Sequence, residues 1–230
     1  MNQLNEVILE GNLVNAPLQT TFGDNKKVSH LNLACNRYYK NREGETVQEA
    51  SFFDVDAFGP LCEKVSMGEK GQKIRIEGHL KQQNWMDETG KRHSKLIVIA
   101  DKIDFEAPGR VINNTNNVIL EGNLVKDPDQ KITDGDKRPA KFSIATNRSF
   151  KKGEEWIQEA SFIDVDAFGA AGKFASGLEK GQSIKIEGRL KQDRWKDGEG
   201  KTHSKISITA DKVEKKREIT RKKEEPEMGR

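Results

Sequence analysis

Only two cysteines occur in the 230 residues, Cys35 and Cys62, and the matching positions in the second half of the chain hold Thr146 and Gly172. A disulfide that the fold required would appear in both halves, so no structural bridge is expected and the usage suits a reducing cytosol. No cysteine spacing of the zinc-binding type is present. Apolar runs stay well short of the about 18 residues that a membrane-spanning helix needs, and no membrane association is expected. The N-terminus shows no basic segment leading into a long apolar run, so no secretory leader is expected and a cytoplasmic location follows. Excess charge of one sign is missing too: 40 Lys and Arg face 37 Asp and Glu, a net +3. From Glu214 to Arg230 seven basic residues face five acidic ones. Most of the net charge is therefore in the tail, and any surface for nucleic acid has to come from local clustering. Aromatics are scarce at 7%, which makes each one in polar surroundings informative.

What the chain does have is a duplication. The segment Val7 to Val14 returns as Val118 to Val125, Gln48 to Gly59 as Gln158 to Gly169, and Glu69 to Trp85 as Glu179 to Trp195. Solenoid repeats run about 20–50 residues, and this period is far longer. It marks two domains, each near the small end of the usual range and able to build a core without staples.

Each copy reads as mostly strand. Leu31 and Leu33 alternate with polar residues, as do Phe142 and Ile144. Phe53, Val55 and Ala57 share one face of a strand; Phe52, Asp54, Asp56 and Phe58 share the other. Pro60 to Met67 and Ala170 to Leu178 are the helix candidates, each closed by Glu-Lys-Gly. Alternation resumes through Ile74 and Ile76, runs on to Trp85, turns at Asp87 to Gly90, and closes over Lys95 to Ala100. Five strands with one short helix between the third and fourth is the order of an OB-fold, a Greek-key barrel. The expected architecture is all-β: two tandem OB-folds over residues 1–107 and 117–213. A turn-rich linker spans 108–116, and a charged tail over 214–230 is expected to be disordered or solvent-exposed.

The aromatics recur at four positions: Tyr39, Phe52, Phe58 and Trp85, then Phe150, Phe162, Phe168 and Trp195. Trp85 and Trp195 lie among Gln, Asn, Asp, Arg and Lys, a setting that suits a stacking platform and not a core. Bases stack on such rings for about 1–3 kcal/mol each with little sequence preference. Basic residues are interleaved with them: Arg37, Lys40, Lys73, Arg75 and Lys81, then Arg148, Lys151, Lys185, Arg189, Lys191 and Arg194. A cationic groove floored by rings suits a single nucleic-acid strand, with these side chains as phosphate contacts.

Several longer motifs recur as well. They are the run from Asn5 to Leu13, repeated from Asn116 to Leu124; Ala34 to Tyr39, repeated from Ala145 to Phe150; and the block from Lys70 to Trp85, repeated from Lys180 to Trp195. With these, the chain resembles the bacterial single-stranded DNA-binding proteins in a form with two OB domains. The resemblance implies base stacking at the four aromatic positions and a role in replication, recombination and repair without catalysis or cofactor. It also implies a working unit of four OB domains, hence a homodimer. The first aromatic is usually Trp in that family and is Tyr39 or Phe150 here; the second is often Trp and is Phe52 or Phe162 here. The family's acidic, hydrophobic C-terminal tip, which recruits replication and repair proteins, is replaced by a mixed-charge end at Arg230. An alternative reading is therefore a specialised paralogue, acting as an accessory module for a primosome, a mobile element or RNA.

Two features stand apart. Asp54 and Asp56, with Asp164 and Asp166, alternate onto the face of the stacking phenylalanines. Pairing with Arg75 or Lys185 on a neighbouring strand is the expected reason. A metal site or a metal-dependent nuclease would need more fixed ligands than one Asp-x-Asp supplies. Ile97 and Ile99 are matched by Ser207 and Thr209 on what is read as the outer face of the closing strand. They are expected to be covered by another domain or subunit.

Overall fold

In the computed structural model, residues 3–23, 25–41, 43–105, 114–130 and 140–216 are described. Most of the expected linker and nearly all of the expected tail lie outside them. The first copy comprises β1 (Asn5–Leu13), β2 (Leu18–Phe22), β3 (Lys26–Lys40), β4 (Thr46–Phe58), α1 (Pro60–Ser66), β5 (Lys73–Met86) and β6 (Arg92–Phe105). The second comprises β7 (Asn116–Leu124), β8 (Asp129–Gln130), β9 (Ala140–Lys152), β10 (Glu155–Ala167), α2 (Gly169–Ala175), β11 (Ser183–Lys196) and β12 (Thr202–Lys215).

Both copies are closed five-stranded barrels. In the first, β1 pairs with β3, β3 with β4, β4 runs parallel to β6, β6 pairs with β5, and β5 returns to β1. The second repeats that circuit as β7, β9, β10, β12 and β11. Closure removes the open sheet edges that would otherwise invite pairing with other chains. Each barrel carries one helix between its third and fourth barrel strands, as the OB order requires. The helices end earlier than the sequence suggests, at Ser66 and Ala175, because Gly68 and Gly177 follow within a turn.

Two strands are not expected from the sequence, β2 and the two-residue β8 that pairs with β9. Leu18–Phe22 forms a hairpin with β3 although every residue in it is exposed. Backbone pairing and a few surface contacts from Gln19, Thr20 and Phe22 order it, which leaves no hydrophobic alternation to read.

The alternating residues fill the barrels. Leu9, Leu33, Phe53, Ile74, Ile76 and Ile103 are fully buried, as are Leu120, Ile144, Ile163, Ile184 and Ile186 in the second copy. Each such side chain contributes about 1.5–3 kcal/mol on leaving water. Sharp coiling is needed where β5 crosses β6. A Cβ on Gly78 would sit 2.1 Å from the Ile99 carbonyl oxygen, and one on Gly188 would sit 2.2 Å from that of Thr209. Both glycines adjoin a β-bulge, where the register shifts after Glu77 and after Glu187.

The copies are joined into a continuous sheet. β1 and β7 pair antiparallel with Val7 opposite Val118, so that residue faces its own counterpart. This is the self-complementary pattern of a twofold interface, built here within one chain. Polar contacts follow the same reciprocity. The Gln192 side chain accepts the Phe52 N–H, and Gln82 accepts the Phe162 N–H. Two seams result, one where β4 meets β11 and one where β10 meets β5.

Both faces of the closing strand are buried within one chain. Val98 packs into the core, while Ile97 is 3% exposed and lies outside the main apolar cluster. Ile99 is half-buried. Ser207 and Thr209 are buried as well, so burial at these positions is common to both copies and is not tied to the isoleucines.

Candidate nucleic-acid interface

The ends of long strands carry the aromatics out of the barrel. β5 and β6 form a hairpin whose turn is set by Asp87: its Oδ1 accepts from the backbone N–H of Thr89 and Lys91 and from the Thr89 hydroxyl. Its Oδ2 lies 2.6 Å from His93 Nε2. The His93 ring stacks on Trp85, centroids 5.5 Å apart and 18° from parallel. The second copy repeats this with Asp197, His203 and Trp195 at 5.7 Å and 21°. Each tryptophan thus has one face backed by an imidazole, and at 48% and 49% exposure both keep ample surface for a ligand. Bonds from Thr89 and His93 hold the Asp87 carboxyl well below the usual carboxylate range. Asp197 is lowered chiefly by His203.

Three of the remaining rings lie under arginines. Arg37 lies over Tyr39 at 4.9 Å, and Arg148 over Phe150 at 5.7 Å. Phe58 and Phe168 are exposed, and Phe22 meets Phe58 edge-on at 6.2 Å. Phe162 is exposed and Phe52 half-buried, because Arg194 of the other copy covers Phe52 at 4.5 Å.

The seams are what bring these residues together. Gln192 accepts the Phe52 N–H, and Gln82 accepts the Phe162 N–H. Lys81 reaches Glu159 at 2.9 Å. One groove of about 510 Å³ is lined by Trp85, Phe162 and Trp195 together with Lys95 and Lys205. A second, of about 700 Å³, is lined by Tyr39 and Arg37 of the first copy with Phe168, Arg189 and Lys191 of the second. Aromatics that the repeat assigns to separate domains share walls here.

Among the cations read as phosphate contacts, placement differs. Arg37, Arg189 and Lys191 line the larger groove, and Arg194 covers Phe52. Lys40 and Lys151 are exposed at the ends of the β3–β4 and β9–β10 hairpins. Lys73, Arg75 and Lys185 line neither groove. Arg75 is held by Glu10 at 2.6 Å and Glu77 at 3.4 Å, and Lys185 by Glu187 at 2.7 Å.

The aspartates are paired, but not with the expected partners. Asp54 bonds Lys95 at 2.5 Å and Asn32 at 3.1 Å; Asp56 bonds His30 at 2.7 Å and Gln83 at 3.2 Å. Asp164 takes Lys205 and Ser143, and Asp166 takes Lys141 at 2.9 Å. β4 is flanked by β3 and β6, not by the strand that carries Arg75, so the charged partners of Asp54 and Asp56 come from those two, and β5 reaches Asp56 only through Gln83 near its far end. Among the described residues no group of three or more His, Cys, Asp or Glu side chains could hold a metal.

Sequence reasoning passed over Trp156, which is 69% exposed opposite Lys151. Comparing copies hid it, since the matching residue is Thr46. It also passed over the imidazoles behind Trp85 and Trp195, although His93 and His203 recur in the repeat.

The model of the "Single-strand binding protein family" matches residues 4–106 and again residues 115–215. The chain belongs to this family. Among family relatives, the single-stranded DNA-binding protein of Thermus aquaticus is 28% identical over 92% of the chain and 84% of its own length. That of Treponema pallidum is 37% identical over 44% of the chain, which spans 57% of that protein's length. A crystal structure of a deletion mutant of the Thermus aquaticus protein superposes with a TM-score of 0.79 at 27% identity, covering 97% of this chain and 99% of that one. The tandem OB architecture is thus shared with a solved single-strand binding protein over nearly its whole length. No helix among the described residues is long and apolar enough to cross a membrane.

Proposed function

We propose that the chain binds single-stranded DNA without sequence preference, by stacking bases on its exposed rings and contacting phosphates with the interleaved cations. The carrying observation is the smaller groove, where Trp85, Phe162 and Trp195 converge from both copies beside Lys95 and Lys205. Flat rings take any base, and low salt strengthens the phosphate term. The family consists of non-catalytic DNA-binding proteins, and the role that fits is holding single strands in replication, recombination and repair. Tryptophan fluorescence with dT oligomers tests the reading. Strong quenching is expected, with Trp85→Ala and Trp195→Ala each costing about 1–3 kcal/mol of affinity. Absence of quenching at low salt overturns it.

Each chain holds two barrels related as in a dimer, and we infer that two chains associate to give the four-barrel unit typical of the resemblance. Tyr39, Phe52, Phe58 and Trp85 with Phe150, Phe162, Phe168 and Trp195 form the stacking set. Arg37, Arg189, Lys191 and Arg194 are the phosphate contacts that the grooves favour.

A further inference from the structure

Among the differences between the two seams is one cross-strand pair. In the first copy His79 on β5 stands opposite Ile99 on β6; in the second, Arg189 on β11 stands opposite Thr209 on β12. Both residues of the pair change together, and each pair lies at a seam.

At the β10–β5 seam the histidine closes the contact. Arg148, from the other copy, bonds His79 Nε2, and His79 Nδ1 lies 2.8 Å from Asp101. A guanidinium only donates, so Nε2 accepts and Nδ1–H donates to the carboxylate. One buried, neutral ring thereby links a cation and an anion, with half-buried Ile99 beside it.

At the β11–β4 seam the same positions hold Arg37, Arg189 and Asp211. Two guanidiniums cannot bond each other. Arg189 turns to Asp211 at 2.7 Å, while Arg37 lies over Tyr39 with Glu49 at 3.7 Å. Both line the groove of about 700 Å³, together with Lys191 and Phe168. Thr209 also lines it; it is 6% exposed, and its buried hydroxyl has no hydrogen-bond partner. Buried polar groups are rarely left unsatisfied. Three cations line the groove, each beside a carboxylate: Arg37 by Glu49, Arg189 by Asp211, and Lys191 by Asp193 at 2.7 Å. The forked donors of two arginines and the free hydroxyl suit a phosphodiester, and the rings of Tyr39 and Phe168 suit the bases on either side of it.

We propose that the seam carrying Arg37, Arg189 and Thr209 holds a backbone phosphate of the bound strand, and that the seam carrying His79 and Ile99 does not. The chain then contacts a single strand asymmetrically despite its internal twofold pattern. This rests on the single-stranded DNA reading and adds which seam takes the phosphate.

Exchanging the pairs tests it, since each pair already occurs natively at the equivalent place. The readout is the slope of log affinity against log salt for a dT oligomer. Arg189→His with Thr209→Ile is expected to make the slope shallower by about 0.7, the value of one phosphate on a single strand. His79→Arg with Ile99→Thr is expected to make it steeper by about the same amount. Arg37→Gln, at an exposed site, is expected to act like the first exchange and stands in for it should that protein unfold in urea too early. Unchanged slopes in all three, with wild-type quenching intact, overturn the seam assignment and leave DNA binding standing. A wild-type protein that fails to quench at all overturns the binding reading and this inference with it.

Discussion

Trp85 and Trp195 are supported side chains, not free ones. Each is backed by an imidazole, and each imidazole is pinned by an aspartate that also shapes the turn. A ring held in place loses less freedom when a base stacks on it. His93→Ala with His203→Ala is expected to weaken dT binding by less than removal of the tryptophans, because the indoles remain but are no longer held. His93→Phe with His203→Phe restores the flat backing and is expected to recover most of the loss. Fluorescence titration reads both, and equal affinity for the alanine variant and the wild type would contradict the supporting role. At this scale the four aromatic positions were legible from the repeat, because polar neighbours leave a ring no core to join. Trp156 was not legible, because the same comparison discards a residue present in one copy only. The aspartate partners were misread because residue spacing along β4 does not say which strands flank it.

The strands and hairpins decide how these residues meet. β1 and β7 are the elements that join the copies, and a carboxylate sits on each. Glu10 bonds Arg75 and the Thr115 hydroxyl, and Glu121 bonds Lys216 and the Leu4 N–H. Burial raises both carboxyl pKa values, but the bonds to Thr115 and Arg75, and to Lys216 and Leu4, outweigh it and hold both below the ordinary glutamate value. A carboxyl depressed in the folded state stabilises fully above its unfolded pKa and loses that contribution as pH falls through the folded value. Stability should therefore be flat from neutral pH down to about 5 and decline below that. Glu10→Gln should lower stability at neutral pH and reduce the acid-dependent decline. Urea midpoints across that range check this; an unchanged acid slope in the variant would show that Glu10 does not contribute. Barrel strands with a buried face were legible from alternation. β2 was not, since it buries no side chain and is held by backbone pairing to β3 and by surface contacts.

In the whole molecule, the pairing of Val7 with Val118 turns a tandem repeat into an internal dimer. A chain of 25.9 kDa supplies two barrels, and light scattering is expected to give twice that mass in dilute solution. A monomer at micromolar concentration that still quenches with dT oligomers would show that two barrels suffice for binding. Ile97 is already covered within one chain, so Ile97→Ser is expected to act on folding stability, with no change in mass required. The sequence by itself determined the duplication, the all-β barrels, the scarce aromatics and their basic company, because hydrophobic period and residue type are local properties of the chain. Only the tertiary structure decided that the two platforms share walls, that Arg194 covers the ring of Phe52, that the aspartates are matched from β3 and β6 and, in the second copy, from β9 and β12, and that one seam is closed by a histidine while the other opens between two arginines. Those outcomes depend on which strands become neighbours across the β1–β7 junction, and contacts between residues so far apart in sequence leave no local pattern to read.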